Sequence, residues 1–301
     1  MALQMPDEVG ESSALSPETA VIRALTRATD QHEVVAVGPG DDAAVLQDGT
    51  VLCVDAMVEG VHWDERFSAS DVGWRLVMVN ASDVAAMGAT PTWALLAISL
   101  PRVERAWVEG FGDGLHAALE VLGVPLLGGD TTRGATPTVS LSMGGRLVGK
   151  PLLRSAARPG DRIWVSGRLG DAAGGFHDLT DKAALLRPSP PLHLGPALAR
   201  RGVRCAMDIS DGLVEDLGRL CTASDVGAHL DAAAIPRRTE VPLELALGFG
   251  DDYQLLATSE LDLSDEMRCI GEIVAEPGIR MDGADWPKPA WTHFDQAGAA
   301  R

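Results

Sequence analysis

The chain is poor in the residues and patterns on which several common functions depend. Its four cysteines, Cys53, Cys205, Cys221 and Cys269, are widely separated and form no Cys-x-x-Cys. That argues against both a disulfide framework and a zinc site, and reduced, mostly buried thiols are expected. Basic residues are scarce: 25 Lys and Arg face 43 Asp and Glu, a formal net charge of -18. So acidic a chain disfavours nucleic acid and anionic membranes as partners, because both are held by Lys and Arg. No apolar run reaches the ~18 residues that a membrane span needs. The start, Met1 to Ala14, is acidic and unlike a secretion leader, so a cytoplasmic protein is expected.

Phosphate-binding signatures are missing as well. The nearest approach to a P-loop is Gly144-Gly145-Arg146-Leu147-Val148-Gly149-Lys150-Pro151. It places Pro151 where the metal-binding hydroxyl belongs, and its leading residues alternate like a strand, so it is read as a chance match. There is no Gly-x-Gly-x-x-Gly dinucleotide loop, no kinase His-Arg-Asp signature, no short repeat and no low-complexity tract. If the chain handles phosphate, cations must mediate.

What is present is a regular alternation of strand and helix signals over 301 residues. This predicts an α/β (α+β) fold with mixed sheets and flanking helices, in two domains divided near Lys150, 1–150 and 151–301. A helix is predicted from Ser16-Pro17-Glu18 to about Thr29 and another from about Asp71 to Met87. Strands are expected to end at Asp55 and at Gly128-Gly129-Asp130, and a strand-to-helix turn is expected at Asp208-Ile209-Ser210-Asp211.

The second helix holds the first chemical clue. Steps of three and four residues place Leu76, Asn80, Asp83 and Met87 on one apolar stripe. A carboxylate there is costly to desolvate, and no Lys or Arg stands within a turn of Asp83. Asp42, Asp55, Asp130, Asp208 and Asp211 share its signature of small or apolar neighbours, a strand end or tight turn, and little nearby positive charge. Oxygen donors without His or Cys select hard cations, so Mg²⁺ or Mn²⁺ is favoured over zinc. Hard ions held by a few carboxylates usually meet substrate phosphates, which makes phosphoryl transfer the leading chemistry and a structural calcium site the blander alternative.

Taken in order, GPGDDAAVL from Gly38, VDAMVEGVHW from Val54, VNASDVAAMGATP from Val79, LLGGDTTRG from Leu126, RSAARPGD from Arg154, MDISDGL from Met207, GDDYQLL from Gly250 and AWTHF from Ala290 span nearly the whole chain. The ordered set resembles the thiamine-monophosphate kinase family of the aminoimidazole ribonucleotide synthetase-like superfamily. The resemblance implies transfer of the γ-phosphoryl of ATP to thiamine monophosphate with several Mg²⁺ ions, and a homodimer joined through the N-terminal sheets. It implies metal ligands at Asp42, Asp55, Asp83, Asp130, Asp208 and Asp211, with Asp83 and Asp130 at the reacting centre. ATP contacts are implied at Gly129, Asp130, Arg154 and Ser210, and substrate contacts at His62, Asp251 and Trp291. His62 packing beside Trp63 and Trp291 anchoring the tail are the alternatives at those two positions.

Two departures stand out. Cys53 and Val54 occupy positions where the family commonly has hydroxyl residues, which removes a side-chain metal contact. Asp251-Asp252-Tyr253-Gln254 replaces the usual Glu-Asp-Tyr-Glu, so the carboxylate at Asp251 is one methylene shorter. Rival readings are another ATP-dependent enzyme of the superfamily and a non-catalytic nucleotide- or metal-binding regulator. Selenophosphate synthetase and the hydrogenase-maturation relative each expect a reactive terminal cysteine that this chain lacks.

Overall fold

The computed structural model describes residues 17–26 and 32–287; Ser16 and Trp291 lie outside them. The first half runs α1 (Pro17–Leu25), β1 (Val35–Val37), β2 (Ala44–Leu46), β3 (Thr50–Val58), α2 (Ala69–Ala86), β4 (Ala89–Leu100), α3 (Arg105–Leu122), β5 (Leu126–Arg133) and β6 (Thr138–Leu147). Its six strands form one mixed sheet in the order β1-β2-β3-β6-β4-β5. The second half runs β7 (Arg162–Val165), α4 (Asp171–Phe176), α5 (Ala183–Leu186), α6 (Leu194–Arg201), β8 (Cys205–Ile209), α7 (Leu213–Ser224), β9 (Gly227–Asp231), α8 (Leu243–Gly248), β10 (Gln254–Ser259), β11 (Arg268–Val274) and β12 (Gly278–Asp282). Those strands form a second mixed sheet, β12-β9-β11-β7-β10-β8.

Helix α2 is the element both halves share. It starts at Ser68, whose hydroxyl accepts the Asp71 N–H while the Asp71 carboxylate accepts the Ser68 N–H, a reciprocal cap that satisfies two orphan donors. It stops at Gly88, which takes a left-handed φ of 78°. Most of the residues between are buried, including Leu76, Val77, Asn80, Ala81, Ser82 and Val84. A helix covered nearly all round belongs inside a protein rather than on its surface. Here α2 lies on the first sheet against β3, β4 and β6, packs beside α3, and also touches β8, α5 and α6 of the second half. A hydrophobic cluster containing Ala86, Leu152, Trp164, Leu198 and Leu255 continues across the junction.

Several expectations need correction. Asp55 lies inside β3 and Asp130 inside β5, because both strands continue past the carboxylate to Val58 and Arg133. Strand β1, helices α4 to α6, and strands β11 and β12 are elements that the sequence reading did not anticipate. The helices are only four to eight residues long, and β11 carries a register shift between Cys269 and Gly271. The glycine pair Gly144-Gly145 lies in β6, as its alternation implied, and a side chain at Gly144 would strike the Trp93 ring.

The α2–α3 contact is backbone against backbone. A Cβ on Gly114 would sit 1.8 Å from the Ser70 carbonyl oxygen, and one on Gly73 would sit 2.2 Å from that of Phe111. At an open helical site Gly→Ala stabilises by about 1 kcal/mol. At Gly114 the sign is expected to reverse, with Gly114→Ala costing about 1–3 kcal/mol through overpacking. Urea denaturation of the two proteins checks it, and an unchanged or higher midpoint for the variant would contradict the close approach.

Candidate functional site

Three carboxylates from distant parts of the chain meet where α2 abuts β8. Asp42 comes from the turn before β2, Asp83 from the last turn of α2 and Asp208 from β8, and one oxygen of each lies within 4.8 Å of the others. The Asp208 carboxylate accepts a 2.6 Å hydrogen bond from Ser82, so α2 supplies both a carboxylate of the cluster and the donor that orients another. Asp42 is paired with Arg154, while its other oxygen, Oδ2, is buried without a hydrogen-bond partner. Buried polar atoms are rarely left so, and a cation beside it would satisfy this one.

The electrostatics follow from the crowding. Burial, then the charges of Asp55, Asp208 and Asp42, push Asp83 well above the ordinary carboxylate range. Burial and the Asp42 charge raise Asp208 to about 8. Burial and the Asp211 charge raise Asp55 to about 6. Burial also raises Asp42 despite Arg154. Like charges confined together cannot all ionise without a cation among them. An all-oxygen donor set with an orphaned oxygen fits a hard divalent ion, held by Asp42, Asp83 and Asp208 with Asp55 adjacent.

Beside this cluster opens a cavity of about 480 Å³. Asp55, Asp83 and Asp211 line its acidic end, and Trp63, Phe67, Phe176, Phe249 and Tyr253 contribute aromatic walls. Asn80 fixes one wall: its amide donates to the Leu76 carbonyl at 2.8 Å and accepts the Asp55 N–H at 3.1 Å, tying α2 to β3. His62 lines the cavity with Nδ1 accepting the Val58 N–H at 3.0 Å, an arrangement that suits the neutral ring protonated at Nε2. Ser210 and Asp251 also line it, and the Ser210 carbonyl accepts the Asp251 N–H at 2.8 Å.

Comparison with known proteins places this geometry. The family models for AIR synthase related protein match residues 40–147 with the N-terminal domain and 158–282 with the C-terminal domain. The thiamine-monophosphate kinase of Escherichia coli K12 is 36% identical over 293 residues, covering 85% of this chain and 90% of that protein. The chain belongs to the thiamine-monophosphate kinase family. Among solved structures of thiamine-monophosphate kinases, the one from Stenotrophomonas maltophilia superposes with a TM-score of 0.72 at 37% identity, covering 89% of this chain and 98% of that one. AaThiL complexed with AMPPCP and TMP superposes with a TM-score of 0.82 at 30% identity, covering 95% of this chain and all of that one.

Of the residues that the resemblance to the thiamine-monophosphate kinase family singled out, the structure gathers Asp42, Asp83 and Asp208 in one cluster and places Asp55, Asp83 and Asp211 in the lining of the cavity beside it. Asp130 is not among them. It is exposed on the edge strand β5, where its Oδ1 accepts the Thr131 N–H. Gly129 beside it is required by packing, since a Cβ there would lie 1.6 Å from the Leu96 carbonyl oxygen. The expectation of little positive charge fails twice: Arg154 pairs with Asp42, and Arg219 lies 2.6 Å from Asp211. Arg154 also donates its backbone N–H to Asp41 at 2.7 Å. Sequence reasoning passed over Ser82, Arg219 and Arg75, whose guanidinium lies 2.5 Å from Asp251. Arg75 was findable by the reasoning that found Asp83, being a charge on the buried side of the same helix.

The raised carboxylate pKa values make a signed prediction. The unfolded chain releases these protons near pH 4, whereas folded Asp55 and Asp208 hold theirs to about 6 and 8. Ion-free protein therefore loses stability as pH climbs from 4 toward 8. Mg²⁺ bound by the cluster would displace those protons, so the rise in Tm on adding MgCl₂ is expected to be larger at pH 8 than at pH 6. Thermal melts at both pH values, with and without MgCl₂, measure it, and equal rises or none at either pH would remove the ion from the cluster.

Proposed function

We propose that this chain transfers the γ-phosphoryl group of ATP directly to thiamine monophosphate, giving thiamine diphosphate and ADP. The observation that carries the reading is the Asp42, Asp83 and Asp208 cluster at the acidic end of an aromatic-walled cavity. Its support is the family and the complex of AaThiL with AMPPCP and TMP. The acceptor is a phosphate monoester with a second pKa near ~6, so it is mostly dianionic at neutral pH and needs no general base. The barrier lies in bringing two polyanions together: at ~4 Å, with an effective dielectric near ~20, each unit-charge repulsion is about 4 kcal/mol.

Asp42, Asp83 and Asp208 would hold Mg²⁺, with Asp55, Asp211 and Asp130 as the further ligands the resemblance implies. When bound, the ions supply charge neutralisation and alignment of donor and acceptor phosphates. Ser82 keeps Asp208 turned toward the cluster, and Asn80 keeps the Asp55 segment of β3 against α2. The aromatic walls exclude water from the site and offer flat apolar faces to the vitamin's rings. Gly129, Asp130, Arg154 and Ser210 are assigned to ATP, and His62, Asp251 and Trp291 to the vitamin. Residues 1–150 form the metal, ATP and dimer half, and residues 151–301 complete the crevice.

A coupled assay of ADP formation with ATP, thiamine monophosphate and Mg²⁺ tests this reading. The native chain is expected to turn over, and Asp83→Asn to lose at least about 10³-fold in kcat, as for removal of a group that stabilises the transition state, while melting no lower than the native chain. ATP binding without ADP formation would make the chain a regulator instead. A phosphorylated enzyme trapped by rapid quench would replace direct transfer by a two-step route.

We further propose a cytoplasmic homodimer. Free thiols at all four cysteines suit a reducing compartment. Val54, Ser142 and Leu95 stand opposite one another across β3, β6 and β4 on one face of the first sheet. Val54 is 63% exposed and Leu95 39%, and Leu127 on β5 is 63% exposed. An exposed apolar sheet face of this kind marks an association surface. Sedimentation equilibrium is expected to give twice the chain mass, and Val54→Asp to shift it toward the monomer; a native monomer would contradict the assignment.

A further inference from the structure

Eight residues before Asp83, on the same side of α2, stands Arg75. Both line the cavity, with Val79 between them. Eight helical residues rise about 12 Å, so this one wall carries a guanidinium at one end and the carboxylate cluster at the other. The Arg75 side chain is only 4% exposed, and its donors are answered from within the protein. Its Nη1 donates to the Leu185 carbonyl at 2.9 Å, and its Nη2 lies 2.5 Å from Asp251 Oδ1 and 3.4 Å from the Tyr253 hydroxyl. The Tyr253 hydroxyl in turn donates to the same Asp251 oxygen at 3.2 Å. Two buried donors therefore converge on one carboxylate oxygen of a cavity-lining residue.

The turn that carries Asp251 is held in an unusual shape. Asp251 has φ 62° and Tyr253 φ 49°, a left-handed region that residues with side chains rarely adopt. Three anchors keep it there. The Asp251 N–H donates to Ser210 and the Tyr253 N–H to Ile209, each at 2.8 Å, and the Asp252 carboxylate accepts the Gly170 N–H. Strain maintained by surrounding contacts is characteristic of residues kept for function. A buried ion pair adds little stability compared with apolar packing, so stability alone gives a poor account of this arrangement.

Resting on the function proposed above, we propose that Arg75 and Tyr253 are positioning residues that fix the Asp251 carboxylate in the cavity wall, where it engages the substrate's rings. Thiamine monophosphate suits such a two-ended wall. Its phosphate belongs at the cluster, and its thiazolium charge and aminopyrimidine donor call for a fixed carboxylate elsewhere in the wall. Unmasked, the Arg75 charge would repel the thiazolium; paired with Asp251 it fixes the carboxylate and is itself neutralised.

Steady-state kinetics of the full chain, with each substrate varied in turn, test the assignment. Tyr253→Phe keeps the ring and removes one hydrogen bond to a charged group; it is expected to raise KM for thiamine monophosphate about tenfold while KM for ATP and kcat stay within about twofold. Arg75→Lys is expected to act in the same direction, and adding Asp251→Glu, which restores the reach that the shorter cation loses, to recover most of the effect. Absence of turnover by the native chain would defeat the function and this role together. A native chain that turns over, with KM for thiamine monophosphate unchanged in Tyr253→Phe, would overturn the positioning role alone. So would a uniform fall in kcat, both affinities and Tm that the double variant does not recover, because the pair would then be structural only.

Discussion

Like charges forced together organise this molecule. Asp42, Asp83 and Asp208 approach within 4.8 Å, Asp208 buried and the other two half-buried, with Asp55 and Asp211 close enough to be felt. Arg154 answers part of that charge but leaves Oδ2 of Asp42 without a partner. Folding alone never favours such a cluster, because each ionised carboxylate must be desolvated beside others of its sign. The repulsion is relieved by protons held to unusually high pH, or by a cation for which the all-oxygen donor set is suited. Its cost is carried by the apolar surroundings of α2, where Leu76, Val77, Ala81 and Val84 are all fully buried.

That dependence explains why α2 is fixed so firmly. The glycine contact at Gly73 and Gly114 sets its distance from α3, Asn80 bonds it to β3, and Ser82 bonds it to β8 of the other half. A cluster assembled from three chain segments holds an ion only if those segments keep register to a fraction of an ångström, and a packed interior of high density provides that rigidity. The same fixed helix carries Arg75, so the two ends of the cavity are set by one rigid body.

The fold class, the two-sheet plan and helix α2 were legible in the sequence, α2 because its apolar run is long and Gly88 ends it. The candidate site was legible through five of the six aspartates, Asp130 excepted, since a carboxylate with apolar neighbours stands out from scattered surface acids. Contacts between segments distant in sequence were not legible. Arg154 meets Asp42 from 112 residues away and Ser82 meets Asp208 from 126 residues away, and nothing local in either stretch records the meeting. Strand ends were misjudged at Asp55 and Asp130 because a polar residue was taken as punctuation. In fact β3 places Asp55 on its cluster-facing side, and β5, as an edge strand, leaves Asp130 exposed. Short helices such as α5, four residues long, have too few turns to show a period.

The departure at Cys53 shows how the cluster constrains its own chemistry. A thiol next to a metal site would ordinarily threaten the preference for hard ions, because thiolate binds zinc more strongly than any carboxylate does. Here the thiol sits 3.4 Å from the Asn80 carbonyl, and burial, followed by the charges of Asp83 and Asp55, pushes its pKa well above the ordinary range. The carboxylates that create the site thus disfavour the thiolate that would alter its selectivity. Exchanging a hydroxyl for a thiol at this position removes an oxygen donor without introducing a sulfur one. An ion bound there would meet oxygen donors, because the crowded carboxylates that suit it to a cation also keep the thiol protonated.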